Sequence, residues 1–306
     1  MTCKSLVAAA LLLAACGNYS NEDLEFMNAV PARQDLIAYI QPAMILPANE
    51  AELSRDTHTV IHAFNGALDF LLAADAIRRY PPTSRIPDGR VWGPANMDDH
   101  PGWQWRFTMT RDAVEPGKFD YKFEVQPIGG GDTWYLFIDG SFLATGGARR
   151  GVGMFRVQTD PLRAAGFTFN FGDDGSLLQE LDVMYSTAAF PTSVSMHMVL
   201  YPRARDFADY TMKSMIDYHY AQAESGEGGM EFIGTDSTGK SISVNSQWLA
   251  SGRGRAEATY ADPSSGVTLT WNECWDDSFR STYDNRPWDT SINSGDPANC
   301  PDIAPL

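Results

Sequence analysis

From Trp103 onward the chain alternates apolar and polar residues with a period of two, and that period admits little besides β-structure. In WQWRFTMTR, Trp103, Trp105, Phe107 and Met109 alternate with Gln104, Arg106, Thr108 and Thr110. In FDYKFEVQ, Phe119, Tyr121, Phe123 and Val125 alternate with Asp120, Lys122, Glu124 and Gln126. Successive side chains on a strand point to opposite faces, so these are strands with one buried face. TWYLFIDGSFLA is apolar on both faces, as suits a strand covered on both sides. GVGMFRVQT, FTFNF, LQELDVMYS, SVSMHMVLYP, YTMKSMIDYHY, GMEFI, SISVNSQW, RAEATYA and GVTLTWNE continue the series. Most connections are short and carry turn residues, with Gly172-Asp173-Asp174-Gly175 the clearest hairpin signal. About a dozen strands joined in this way read as an antiparallel meander, and a sheet of that size must curl or close.

Upstream the period is 3.6. A helix is predicted from about Asp56 to Arg79, with Val60, Phe64, Leu68 and Leu71 on one stripe and Ile61 and Leu72 widening it. Asp56 or Thr57 would cap its start, and Pro81-Pro82 stops it. Such a helix needs an apolar surface, and the inside of a curved sheet offers one. The expected fold class is therefore mainly β: a large antiparallel meander sheet forming a closed or half-open barrel, with an N-terminal amphipathic helix packed on it. An integral outer-membrane barrel competes, but the strands are shorter than the ~9–11 residues such a barrel uses.

The chain opens MTCKSLVAAALLLAACGNYS. Lys4 precedes an apolar run from Leu6 to Leu13, and small residues Ala14 and Ala15 lead to Cys16. The run fits a secretory h-region of ~7–15 residues and falls short of the ~20 that span a bilayer. Leu13-Ala14-Ala15-Cys16 resembles the lipobox of bacterial lipoproteins. The resemblance implies cleavage before Cys16, a diacylglyceryl group on that thiol, and a mature protein held in the cell envelope by its lipid. Gly17 in place of Asp implies the outer membrane under enteric-type sorting. An ordinary signal peptide cut nearby is the alternative. Behind such a lipobox, a helix on a curved sheet loosely resembles the open-barrel lipoprotein carriers and lipid-binding lipoproteins. That likeness implies a lipid or other hydrophobic ligand between helix and sheet; no family motif matches residue by residue, so no binding residues carry over. A solid core serving protein contacts, or less readily a hydrolase, is the alternative. The expected organisation is a signal peptide over 1–15, a lipidated tether over 16–55, the helix over 56–80, the β domain over 81–277, and an irregular tail over 278–306.

Loss of residues 1–15 removes Lys4 and no acid, so the formal charge of −16 becomes −17. A surface so acidic repels polyphosphate and anionic headgroups, which argues against nucleic acid as a partner. Of four cysteines, Cys3 leaves with the signal and Cys16 is the lipid site. Cys274 and Cys300 remain, and in an exported protein a disulfide is their default, with free thiols or a metal pair as alternatives. The bridge would contribute roughly 3 kcal/mol and pin the tail. Trp271 and Trp275 are expected to pack against it.

GTDSTGKS, Gly234 to Ser241, satisfies the phosphate-loop pattern through Gly234, Gly239, Lys240 and Ser241. A working loop needs a helix after it to present backbone N–H groups to phosphate. Ser241-Ile242-Ser243-Val244-Asn245-Ser246-Gln247-Trp248 instead alternates like a strand, so the motif reads as a hairpin turn and a chance match, and no nucleotide or other cofactor is expected. His58 and His62 stand four apart on the predicted helix, a metal-ligand spacing, with His100, Asp98 or Asp99 as the third ligand. Two ordinary helix histidines are the favoured reading. The adjacent acids Asp98-Asp99, Asp173-Asp174 and Asp276-Asp277 lack calcium-loop spacing and read as solvated turns. No G-x-S-x-G elbow and no free nucleophilic cysteine points to an enzyme.

Overall fold

The computed structural model describes residues 19–40, 50–169, 178–200 and 214–303. Its helices are α1 (Asn21–Asn28), α2 (Arg33–Leu36), α3 (Glu52–Ala67), α4 (Ala76–Arg79) and α5 (Asp160–Ala164), with a 3-10 segment, Leu68–Asp75, between α3 and α4. The strands are β1 (Ser84–Ile86), β2 (Gly89–Asn96), β3 (Trp103–Arg111), β4 (Lys118–Pro127), β5 (Tyr135–Ala144), β6 (Gly151–Gln158), β7 (Leu178–Ser186) and β8 (Thr192–Leu200). They continue as β9 (Ser214–Gln222), β10 (Gly228–Thr235), β11 (Ser241–Trp248), β12 (Gly254–Asp262), β13 (Val267–Trp275), β14 (Ser281–Asn285) and β15 (Ser294–Gly295). All fifteen lie in one antiparallel sheet in chain order, so the meander is as expected. It is not closed, and β1 and β15 are its edges. Both edge strands are very short, which limits pairing with other chains. The hairpin expected at Gly172–Gly175 lies outside the described residues. Phe167 and Phe169, expected in a strand, lie outside the sheet and pack their rings against Phe137 of β5.

The alternating positions face inward as the pattern requires. Phe107, Met109, Phe119, Tyr121, Phe123, Phe155, Val183, Tyr218 and Tyr220 are all buried. The helical segment lies across this face. Near its start the Leu53 N–H donates to Glu273 of β13, and one turn on Thr57 Oγ1 lies 2.9 Å from Ser246 Oγ of β11. Phe64 stacks on Tyr218 of β9, and Phe70 meets Phe137 of β5 edge-on. From Leu53 to Phe70 the axis advances only ~27 Å. Eight strand spacings from β13 to β5 span ~38 Å along the sheet. The helix is the chord of an arc.

A concave face has less room than its strands would need if flat, and glycine supplies the difference. Gly140 faces Tyr121, Gly153 faces Tyr185, Gly228 faces Trp248 and Gly254 faces Trp275 across adjacent strands. At each glycine a Cβ would lie within 2.6 Å of the facing ring, so the ring occupies the space of the missing side chain. On the convex face a charge row crosses β4 to β9 in register: Lys122, Asp139, Arg156, Asp182, His197 and Asp217. Arg156 pairs with Asp182 at 2.6 Å, and His197 Nδ1 lies 2.7 Å from Asp217. A one-residue slip would turn both rows over, so together they pin the register.

Three boundaries differ from the sequence expectation. The helix begins at Glu52, four residues before Asp56, because Glu273 satisfies the Leu53 N–H that a local cap would otherwise bind. Thr57 lies inside the helix and donates back to the Leu53 carbonyl. The single helix expected over 56–80 changes to 3-10 geometry at Leu68 before α4. The tail expected to be irregular from 278 adds β14 and β15 to the sheet.

The expected tether contains α1 and α2, and Phe26, Val30 and Leu36 are fully buried. Two side-chain amides hold the extended stretch that follows. Asn65 pairs with both backbone groups of Ala38, and Gln222 pairs with those of Tyr39. The firmest attachment is ionic. Asp23, 0% exposed, bonds to Arg85 and to Arg90, itself 2% exposed. Arg90 further donates to Glu22 and to the carbonyls of Ile86 and Gly89, so its guanidinium is fully engaged. Burial alone would raise the Asp23 pKa. Hydrogen bonds from Arg85, the Ser20 N–H and Arg90 outweigh it and hold the carboxyl well below the usual range. A depressed pKa means that this stabilisation is present above the ordinary Asp range and is lost as pH falls. Asp23→Asn leaves Arg90 buried beside an uncharged amide and is expected to cost about 3–5 kcal/mol in urea denaturation. A loss below about 1 kcal/mol would show the pair to be no more than a surface ion pair.

Candidate functional site

The residues singled out by the sequence are scattered. Cys16 lies outside the described residues, as do Asp173 and Asp174. Cys274 and Cys300 form a disulfide with Cα atoms 5.3 Å apart. The bridge draws the tail over β12, where Arg253 donates to the Asn299 carbonyl and Arg255 to that of Ile303. Trp271 and Trp275, expected beside the bridge, each find a hydrogen-bond partner. Trp271 donates to Asp284 under the Arg286 guanidinium, and Trp275 donates to the Gly252 carbonyl while covering Gly254.

Gly234 is the penultimate residue of β10, Ser241 begins β11, and Gly239 and Lys240 lie in the turn between the two strands. Gly239 takes φ +82°, which favours glycine. The Asp236 carboxylate accepts from the N–H groups of Thr238 and Lys240, and Lys240 Nζ lies 3.5 Å from Asp262. The donors a phosphate would need are thus turned onto Asp236, and a strand follows where a phosphate loop has a helix.

On α3, His58 Nδ1 lies 2.9 Å from the Ser54 carbonyl and its ring packs edge-on against Phe279, while His62 is exposed. In the β2–β3 loop His100, one of the three candidates for a third ligand, stacks on Phe167, and the other two, Asp98 and Asp99, are exposed. Asp276 accepts from the N–H groups of Ser278 and Arg280 in the turn after β13. Among the described residues, no group of three or more His, Cys, Asp and Glu is placed to hold a metal ion.

Two hollows remain. The first, about 360 Å³, lies on the convex face over β6 to β10. Here Ser195 Oγ is 2.8 Å from His219 Nδ1, and Glu231 faces His219 from the next strand. The neighbouring row holds the His197–Asp217 pair, and Met154, Met184 and Ile233 supply an apolar border. Sequence reasoning missed these pairings. The alternation places Ser195, His197, Asp217 and His219 on one face, but register across a thirteen-residue β8–β9 connection cannot be read from it. A Ser–His contact is one ingredient of acyl transfer. The other is a pair of free N–H groups aimed at an oxyanion. Ser195 lies mid-strand with β7 and β9 on either side, so the surrounding amides are spent on the ladders.

The second hollow, about 450 Å³, lies between α2 with the stretch to Tyr39 and the turns β5–β6, β7–β8 and β9–β10. Arg149 takes φ +57°, a strained conformation for a residue with a side chain. Its N–H donates to the Asn28 carbonyl, its carbonyl accepts from Thr187, and its guanidinium pairs with Asp35 at 2.6 Å. Arg150 lies over the Phe190 ring and donates to the Thr187 carbonyl. Tyr39 and Phe190, each about half exposed, complete the rim. Aromatic faces beside a guanidinium suit a small polar ligand with a flat surface, and the volume falls in the ordinary range of ligand clefts.

No family model matches the chain, and neither a curated protein nor a solved structure is detectably similar to it. Among the described residues, no helix is long and apolar enough to cross a membrane.

The most perturbed carboxyl of the sheet serves structure. Glu273, 2% exposed, has its pKa pushed up to about 7 by burial, against the Leu53 N–H and Ser281, which pull it down. The folded chain therefore holds a proton that the unfolded chain releases above its ordinary value of 4.5. This contribution to stability is fully present below that value and is lost as pH rises through about 7. In urea denaturation over a pH series, the group is expected to lower stability by up to about 1.4 kcal/mol per pH unit across this window. Glu273→Gln should flatten the slope, and an unchanged slope would assign the titration to another group.

Proposed function

We propose that this chain is an exported, lipid-anchored envelope protein without catalytic activity, which works through contacts made on its surface. One observation carries the surface part of this reading: side chains fill the space between helix and sheet. Phe64 and Tyr218 stack with ring centroids 3.9 Å apart, and Phe70 and Phe137 meet at 5.8 Å. A ligand held there would have to displace the core. Anchoring is supported by Leu13-Ala14-Ala15-Cys16, and the acidic charge suits attachment by a lipid better than by a basic patch. The outer membrane is the destination proposed for the anchored protein.

A second reading keeps a lipid-like ligand on the inner face, away from the helix. Ile242 and Tyr260 belong to that face, in register with Gly234 and Leu269, yet they are 48% and 38% exposed. Acyl chains could lie on this uncovered part.

Two measurements test these readings. The chain produced from Met1 in a bacterial host is expected in the envelope membranes, with residues 1–15 gone and acyl mass on Cys16; Cys16→Ala should abolish both processing and membrane retention. A free thiol at Cys16 in the wild-type mass would sink the anchor. Native mass spectrometry of the domain lacking residues 1–16, after incubation with envelope lipids, is expected to show the bare chain. A lipid adduct that organic solvent removes would favour the second reading over the filled interior.

A further inference from the structure

We infer that the anchored protein stands on the bilayer on one particular end of its sheet, with Leu24, Ile86 and Val114 entering the lipid interface. The inference rests on the lipid-anchored reading above. Alternate turns of a meander fall at opposite ends of the sheet, so β1–β2 and β3–β4 share one end and β10–β11 lies at the other. The chain from Cys16 reaches the packed domain at the first of these ends. Only Gly17 and Asn18 separate Cys16 from Tyr19, so the chain between them can reach at most ~11 Å. From Ser20 the chain has no slack. Ser20 and Asp23 form a reciprocal capping box at the start of α1, and Asp23 is clamped between Arg85 and Arg90 at the β1–β2 turn.

Three exposed apolar side chains belong to the elements that meet at this end. Leu24 lies on α1, Ile86 ends β1, and Val114, 90% exposed, sits at the tip of the β3–β4 loop. Hydrogen bonds gather their backbones. Arg111 donates its N–H to the Asp88 carbonyl and its guanidinium to Glu25, and Asp112 accepts from the Val114 N–H. These contacts tie α1, the β1–β2 turn and the β3–β4 loop into one rigid corner. A lipid on Cys16 cannot stand off from it by a flexible stalk. The occupant this corner fits is a bilayer surface: acyl chains are delivered within ~11 Å of it, and its tips are apolar. The turn at the opposite end, Asp236 to Lys240, would then point away from the membrane.

The test uses the acylated full chain in phosphatidylethanolamine vesicles doped with a lipid carrying a nitroxide on its acyl chain. Val114→Cys and Ser237→Cys are made separately and labelled with one fluorophore; both sites are exposed, and an intact Cys274–Cys300 bridge reports folding. The intact mass is read first. With acyl mass on Cys16, the Val114 label is expected to be quenched several-fold more than the Ser237 label. Equal quenching, or stronger quenching at Ser237, with Cys16 acylated would overturn the orientation and leave the anchor standing. A mass showing no acylation overturns the anchor reading, and the orientation with it.

Discussion

The structure depends on a ring lying over a glycine. A fifteen-strand sheet can bury one face only by bending around something, and bending crowds the side chains on the inner face. Tyr121 over Gly140, Tyr185 over Gly153, Trp248 over Gly228 and Trp275 over Gly254 relieve the crowding at four strand pairs. Each pair keeps a large apolar area while surrendering the Cβ that would collide with it. The arc these pairs permit makes room for a helix as its chord, and the helix fills the concavity. An Ala at any of the four glycines would have to push the ring off its strand, so the curvature and the core are set by the same contacts.

An open sheet must also manage its two edges, and the chain does so with its own termini. At β1, the ion pair of Asp23 with Arg85 and Arg90 fastens α1 to the edge. At the other side, the disulfide and Arg253 and Arg255 fold the tail back over β12 and β13. The two solutions differ in kind because the contexts differ. The N-terminal stretch has Phe26, Val30 and Leu36 to bury and needs only orientation. The C-terminal stretch is largely exposed and polar, so a covalent link replaces the core it lacks.

The strands were legible because period two is a direct image of a half-buried pleat. WQWRFTMTR and FDYKFEVQ occupy β3 and β4 with their apolar sets inward. Disulfide pairing was legible by elimination among four cysteines. What the sequence could not show depends on partners distant in the chain. The helix starts at Glu52 because a carboxylate on β13, more than two hundred residues away, binds its N-terminus. The stretch from 19 to 40 looked like a tether because Pro31 and short apolar runs hide a burial completed by partners distant in the chain, Arg90 and Tyr220 among them. Ser195 and His219 are unremarkable residues in separate strands until register places them 2.8 Å apart.

Register also fixes which groups the convex face can present. Strands hold side chains at fixed spacing, so the row from Lys122 to Asp217 presents basic and acidic side chains in turn along a line. Its backbone donors are consumed by the ladder, which leaves side chains alone to act. A surface of that kind can recognise a complementary row of charges. Its ladder amides are not free to converge on a developing charge, because turning them would break the pairing that keeps the row straight. Convergence needs turns, and the cleft bounded by Arg149, Arg150, Tyr39 and Phe190 is built from three of them. It is also where the chain tolerates a strained Arg149 and holds it with Asn28, Thr187 and Asp35. Strain maintained by three separate contacts, beside a hollow, gives this end of the sheet a specifically shaped surface.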